Sequence, residues 1–158
     1  MYNLTESVKG GTVCFSKAGL AAGSNAAKVK MAAPNGAATD YAIKGYMYTK
    51  LDSAGDDLFV FSQVQAAGTT CLYTMCLNAS GTASVVKGTE VSTDGLTAGT
   101  VYLKWPEPTA NTCPVGGVKI VATAVFTGGT TELGTGNTPS YYDFFAMPIA
   151  APNASAPY

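Results

Sequence analysis

The densest group of carboxylates in the chain is Asp52-Ser53-Ala54-Gly55-Asp56-Asp57, in which three acids flank a glycine. Hard oxygen ligands of this kind suit Ca²⁺. The segment lacks the oxygens at alternate positions and the distal bidentate glutamate of an EF-hand loop. A solvated turn between two strands is therefore the favoured interpretation, and we predict no metal site.

General acid and base catalysis needs two carboxylates held in one cleft with separated pKa values. Acids outside this segment are single and scattered, such as Glu90, Asp94, Glu107, Glu132 and Asp143. The chain also has no Arg and no His. Ser-His-Asp and Cys-His nucleophilic sites are thereby excluded, as are arginine clamps on phosphoryl groups. The sequence predicts a protein that is not an enzyme, with no catalytic residues and no cofactor.

The four cysteines are Cys14, Cys71, Cys76 and Cys113. Cys71 and Cys76 are five positions apart in a segment with the pattern of a strand, so their side chains should lie on opposite faces. They can then neither bridge each other nor chelate one metal ion. We interpret all four as reduced thiols that act as small buried hydrophobes.

Tyr46, Tyr48 and Trp105 offer aromatic faces that could stack on sugars or bases. Packing in the core or between subunits is the alternative, and it is favoured. The segment Thr127-Gly128-Gly129-Thr130-Thr131 has the glycines of a phosphate loop, but no Lys-Ser/Thr pair and no helix start follow it. We predict a β-turn there.

The composition of the chain limits the kinds of partner that it is expected to bind. Charged residues make up 12 % of the chain, about half the usual share of a soluble domain. A net charge of -1 and scattered lysines provide no basic face, so nucleic acid is not an expected partner. No apolar run approaches the roughly 18 residues of a membrane span, and the first six residues lack the features of a signal peptide. We expect synthesis in the cytoplasm and no membrane association.

Alternation of apolar and polar residues predicts strands along most of the chain. The sequence predicts a hairpin over residues 70–87, whose turn at Asn78-Ala79-Ser80-Gly81 uses Gly81 at positive φ. No helical periodicity extends beyond two turns. The other predicted strands cover residues 41–48, 58–61, 101–104, 115–126 with a bulge at Gly116-Gly117, and 141–147.

Strands at this spacing, with Gly, Thr and Asn between them, predict an all-β chain. We expect a single β-sandwich or barrel-like domain over residues 40–148. Residues 1–39 are rich in Gly and Ala and predict an extended N-terminal arm with short strands. Residues 149–158, which are rich in proline, predict an extended C-terminal tail.

The segment from Tyr41 to Lys50 resembles a recurring type of tailed-bacteriophage virion protein, in which an A-I-x-G-x-x-Y-x-K strand opens the family's domain. Further segments, similar to that family's successive strands, follow in order: Cys71-Leu72-Tyr73, Asn78-Ala79-Ser80-Gly81-Thr82, Val85-Val86-Lys87-Gly88-Thr89, Pro114-Val115-Gly116-Gly117-Val118-Lys119-Ile120, and residues 126–133. Together they extend from Tyr41 to about Phe144. Members of this family are described as structural, decoration or fibre-like proteins, so the resemblance implies a location in the virion.

The resemblance and the composition together predict a capsid decoration protein on the outer capsid surface. Its expected partners are the major capsid protein and neighbouring copies of itself, and its extended ends would lie between capsid subunits or add a strand to a neighbour. The alternative is a head-fibre or tail-fibre subunit that contacts the host surface. A glycan hydrolase and a cellular adhesin or pilus subunit are disfavoured by the missing His and Arg and by the missing signal peptide.

Overall fold

The computed structural model of the chain describes residues 11–24, 28–32, 38–51 and 57–144. These residues form thirteen strands and one short helix. The elements are β1 (Val13–Cys14), β2 (Leu20–Ala22), β3 (Lys28–Met31), β4 (Ala38–Ile43), β5 (Tyr46–Leu51), β6 (Phe59–Val60), β7 (Val64–Gln65), β8 (Thr69–Asn78), β9 (Ala83–Lys87), β10 (Val91–Ser92), α1 (Thr93–Thr97), β11 (Thr112–Ala122), β12 (Phe126–Thr127) and β13 (Asn137–Asp143). The prediction of an all-β fold is confirmed.

The central sheet has the order β10-β8-β11-β13, and β9 pairs with β8 on the same edge as β10. Every residue of β8 from Thr70 to Leu77 is buried because both faces of this strand are covered. The predicted hairpin over residues 70–87 is present, with Leu77 paired to Ala83 and Gly81 at a φ of +75° in the turn.

The main core lies on one face of the central sheet. Two three-stranded sheets, β1-β4-β5 and β2-β3-β6, pack against this face, with β1 and β4 on β11 and β2 on β13. Phe61 lies at its centre, with ring centroids 4.9 Å from Tyr73 and 5.5 Å from Phe126 in edge-to-face contacts. All sheets in the described residues are open at both ends. The arrangement is therefore sandwich-like rather than a barrel.

A buried amide joins three strands inside this core. The Tyr73 hydroxyl donates to Gln65 Oε1 at 3.0 Å. Gln65 Nε2 donates to the carbonyl oxygens of Thr69 at 3.1 Å and Ile120 at 3.0 Å. Since the oxygen and the nitrogen of the Gln65 amide both have partners, Gln65 can be fully buried without an unsatisfied group.

Residues 93–111 cover the opposite face of the central sheet. The Ser92 hydroxyl caps α1 by accepting from the Gly95 N–H, and Leu96 and Leu103 pack on Leu72 of β8. No helix among the described residues is long and apolar enough to cross a membrane. The prediction of a strand at residues 101–104 is wrong. The alternating apolar residues of this segment pack on the face of the central sheet, and no described strand pairs with the segment.

The N-terminal part of the chain belongs to the sandwich wherever the structure describes it. Residues 11–24 and 28–32 form β1 to β3 and contribute Cys14, Leu20 and Val29 to the main core. The boundary predicted at residue 40 falls inside β4. Because each of these strands is short, its burial depends on partners distant in the sequence, which local composition does not reveal. Residues 1–10 and 145–158, with the predicted tail, lie outside the described residues.

Two predicted strands differ in extent from the observed ones. β11 extends from Thr112 to Ala122, whereas the predicted strand covers residues 115–126. The register of β11 shifts between Pro114 and Gly116, so a bulge occurs one residue before the predicted glycine pair. β13 begins at Asn137, ahead of the start predicted at residue 141, and its described part ends at Asp143.

Candidate interaction surface

The β4–β5 hairpin turns at Lys44 and Gly45, which have φ values of +52° and +85°. Two consecutive residues at positive φ make the type I′ turn that matches the twist of paired strands. The Lys44 N–H donates to Thr12 Oγ1, and the Gly45 N–H donates to the Gly11 carbonyl, both at 3.1 Å. The prediction of a single strand over residues 41–48 is wrong, because the chain reverses at this turn.

One face of the hairpin is directed at the main core. Tyr41 and Tyr48 are opposite each other in the ladder, and their rings stack with centroids 5.7 Å apart. The Tyr41 hydroxyl donates to the Asn78 carbonyl at 2.7 Å, and burial raises the pKa of this hydroxyl. This face therefore fixes the hairpin on the turn between β8 and β9.

The other face of the β1-β4-β5 sheet is directed at solvent, and we call it the outer face. Strand alternation and the ladder registers assign to it Val13, Phe15, Ala38, Asp40, Ala42, Met47, Thr49 and Leu51. Exposure reaches 45 % at Phe15, 62 % at Met47 and 69 % at Leu51, whereas Ala42 is buried. Asp40 is the only ionisable residue of the set, and its carboxylate accepts the Thr49 hydroxyl at 2.6 Å. The outer face is thus apolar and almost uncharged.

β5 also has an edge that no described strand covers. Both backbone groups of Asp40 bond toward β1, and its carbonyl accepts the Phe15 N–H at 2.8 Å. Thr49, which is opposite Asp40 in the ladder, therefore directs its own N–H and C=O at the uncovered edge. By alternation Met47 and Leu51 also direct their N–H and C=O groups at this edge. We call this row of backbone groups on Met47, Thr49 and Leu51 the free edge of β5.

Of the predicted acidic turn at residues 52–57, only Asp57 is described. Its Oδ1 accepts the Ser24 N–H at 2.6 Å, its Oδ2 accepts the Ser24 hydroxyl at 3.1 Å, and Lys28 Nζ lies 3.9 Å away. This carboxylate therefore closes the loop between β2 and β3. Within the described residues, no group of His, Cys, Asp and Glu has the arrangement of a metal site.

The scattered acids lie on separate elements. Glu90 forms an ion pair with Lys87 and accepts the Ala66 N–H at 3.0 Å. Burial opposes its ionisation, but these hydrogen bonds outweigh burial and lower the pKa of Glu90. Asp143 accepts the Leu20 N–H at 3.2 Å. The remaining three are Asp94 in the first turn of α1, Glu107 over the central sheet and Glu132 before β13.

All four cysteines are free and buried. Cys71 lies in the main core, whereas Cys76 is five residues further along β8 and faces the other side of the sheet, as predicted. Burial raises the pKa values of Cys14, Cys71 and Cys76 to about 11 and that of Cys113 to about 12. These thiols are therefore protonated near neutral pH and are poor nucleophiles.

Trp105 is partly buried and packs against the cluster formed by Leu72, Leu96 and Leu103. Its ring lies edge-on to Tyr142 and Phe144, with centroids 5.7 Å and 5.0 Å away. It also covers Gly117, where a Cβ would come within 2.3 Å of the indole. The predicted packing role is confirmed for Trp105. Tyr48 and the exposed Tyr46 lie on the opposite side of the central sheet, so the three aromatic residues do not form one binding platform.

An open groove of about 300 Å³ runs beside Trp105. It is lined by Lys87, Gly88, Thr89, Lys104, Trp105, Pro106 and Glu107. The Lys87 ammonium already donates to Glu90 and, at 2.5 Å, to the Val64 carbonyl. This ammonium is therefore already paired within the fold.

The Gly-rich segment at residues 127–131 is a turn, as predicted. The Thr130 N–H donates to the Thr127 carbonyl at 3.2 Å, and Gly129 has a φ of +82°. Gly128 lies against Phe61, where a Cβ would come within 2.7 Å of the backbone. The glycines therefore allow a close backbone approach and do not form a phosphate cradle.

No protein-family model, curated protein or solved structure matches the chain. The resemblance to virion proteins therefore depends on the sequence motifs alone and stays a prediction. The outer face and the free edge of β5 were not predicted from the sequence. Gly45 was the available signal, because a turn placed there separates β4 from β5 and assigns Met47 and Leu51 to one face.

Proposed function

We propose that the chain is a non-enzymatic structural protein of a bacteriophage virion, a decoration protein that binds the outer surface of the capsid. The observation that carries this proposal is the outer face of the β1-β4-β5 sheet. Apolar side chains are exposed there, although the protein has a separate buried core. Exposed apolar patches with polar neighbours are typical of protein–protein contact surfaces. The location in a virion is inferred from the sequence resemblance.

The outer face can bind a capsid subunit mainly through apolar contact. Phe15, Met47 and Leu51 are each roughly half to two-thirds exposed. Complete burial of such a side chain contributes about 1.5–3 kcal/mol, so each would contribute about 1–2 kcal/mol on docking. The Asp40 carboxylate is already hydrogen-bonded to Thr49, which reduces the penalty for covering it.

The major capsid protein is the proposed partner. A net charge of -1 provides no strong field for steering toward a charged surface. Attachment should therefore depend weakly on ionic strength, unlike the binding of a polyelectrolyte. The Pro-rich residues 149–158 remain proposed as an additional attachment segment, since a strand-like tail gains main-chain hydrogen bonds from a partner sheet.

Purified virions test the proposal. Peptides of this chain should be present in stoichiometric amounts, and gold-labelled antibodies should mark the shell rather than the tail. Shells that lack the protein should rebind it, and Met47→Ser or Phe15→Ser should weaken rebinding by roughly 5- to 30-fold each, as about 1–2 kcal/mol implies. Val125→Ser, a change at an exposed apolar residue outside the outer face, is the matched control. Absence of the peptides from the particles would overturn the proposal.

A fibre subunit that contacts the host surface is the second candidate. Tyr46 and Tyr102 are 72 % and 76 % exposed, and exposed aromatic rings can stack on sugars. A glycan array should then show binding that Tyr102→Ala or Tyr46→Ala removes. Labelling of the shell without glycan binding favours the decoration protein over this alternative.

A further inference from the structure

The free edge of β5 has few of the features that usually protect an edge strand. Natural edges are blunted by proline, bulges or charged side chains. β5 has no proline, and its ladder with β4 is regular over all six residues. Its one charged residue, Lys50, points away from the outer face, and its Cδ would lie 3.1 Å from a Cβ on Gly81. Among the described residues no strand covers the row of N–H and C=O groups on Met47, Thr49 and Leu51, so this row is available for pairing.

We propose that two copies of this chain pair through β5 in antiparallel fashion, about a two-fold axis at Thr49. Thr49 then faces Thr49 of the second copy, and Met47 faces Leu51 of the second copy on either side. The residues with outward backbone groups are thereby matched with each other. These are hydrogen-bonded pairs, and each exchanges two N–H···O=C bonds.

The side chains are self-complementary in this register. Met47 and Leu51, both well exposed in the single chain, cover each other across the junction on the outer face. On the other face Tyr48 lies opposite Lys50 of the second copy, a pairing of an aromatic ring with an ammonium. Cross-strand apolar pairs of this kind stabilise a sheet. A two-fold axis gives each copy the same patch, as is usual in homodimers.

The two neighbouring registers of the β5 pair, with the axis at Lys50 or at Tyr48, are less favourable than the register about Thr49. An axis at Lys50 places that ammonium opposite its own copy, and like charges directly opposite destabilise a sheet. An axis at Tyr48 places Leu51 opposite Gly45 in the turn, where it finds no side chain. The register about Thr49 pairs residues 47–51 completely and opposes no like charges, so the sequence of β5 selects it.

Pairing joins three strands from each copy into one continuous sheet. The two outer faces then lie side by side on the same surface. The inference concerns the protein alone and holds whether or not the chain decorates a capsid.

Sedimentation and light scattering over a dilution series of the full chain test this pairing. The unmodified protein should form a dissociable dimer. Thr49→Lys places two ammonium groups opposite each other at the axis, so this variant should be monomeric. Within one copy the new Lys lies opposite Asp40 in the ladder, and its thermal unfolding should remain cooperative. Val125→Lys adds the same charge at another exposed apolar residue and should remain dimeric.

A cross-link fixes the register independently. Residues in a hydrogen-bonded antiparallel pair have Cα atoms about 5.5 Å apart, which is within the range that a disulfide spans. Thr49→Cys should therefore give a covalent dimer on mild oxidation, whereas Lys50→Cys, which faces Tyr48 of the second copy, should not. The four native cysteines are buried and should not interfere. A monomer at all concentrations, or an oligomer that persists in Thr49→Lys, would overturn the proposal.

Discussion

Replacing Tyr73 with Phe tests the account of the main core, because it removes one hydroxyl and leaves the ring. Tyr73 and Gln65 are both fully buried. Without the hydroxyl, Gln65 Oε1 loses its donor at 3.0 Å and no water can replace it. A buried acceptor left unsatisfied costs about 1–3 kcal/mol. We expect Tyr73→Phe to lower the free energy of unfolding by that amount.

The magnitude is measured by urea unfolding, followed by circular dichroism, in a double-mutant cycle with Gln65→Met. In the Gln65→Met background residue 65 offers no acceptor to the Tyr73 hydroxyl. There Tyr73→Phe should lower the free energy of unfolding by markedly less. The difference between the two backgrounds should be about 0.5–3 kcal/mol, the usual coupling of residues in one hydrogen-bond network. Equal effects of Tyr73→Phe in both backgrounds would show that the Gln65 contact does not stabilise the fold.

Three further outcomes are expected. Deleting residues 1–39 should unfold the protein, because it removes β1 to β3 and the core side chains Leu20 and Val29; a soluble β-rich product by circular dichroism would refute this. Lys44→Asn should raise the free energy of unfolding by about 1 kcal/mol, since Asn tolerates the positive φ at this position better, and an unchanged urea midpoint would count against it. Glu90→Gln should destabilise the protein at pH 7. The folded-state pKa of Glu90 is lowered, so its contribution to stability is present above the ordinary pKa of 4.5 and is lost as the pH falls through the folded-state pKa. The urea unfolding curves of the unmodified protein and of Glu90→Gln should therefore converge in acid.

Local signals predicted the elements whose partners are close in the chain. The hairpin over residues 70–87 was recognised because turn residues separate two β-prone runs, and Gly81 has the positive φ that its position suggested. The faces of Cys71 and Cys76 followed from strand alternation alone. These predictions required no knowledge of distant contacts.

Predictions were wrong or incomplete where distant partners decide the structure. Lys44 has a positive φ that its residue type does not favour, and contacts from Gly11 and Thr12 help to hold that turn. Leu20 bonds to Asp143, which is 123 positions away, so the integration of the N-terminal strands was not visible locally. For the same reason the outer face was missed, since its membership depends on the turn at Lys44 and on the register between β1 and β4.

A cryo-EM reconstruction of the virion that carries this protein tests the proposed attachment to the capsid. We expect sandwich-shaped density on the outside of the shell, with the outer face of the β1-β4-β5 sheet against the major capsid protein and Phe15, Met47 and Leu51 in the contact. Density of this fold in a tail or fibre, or on the shell with the outer face directed at solvent, would contradict it.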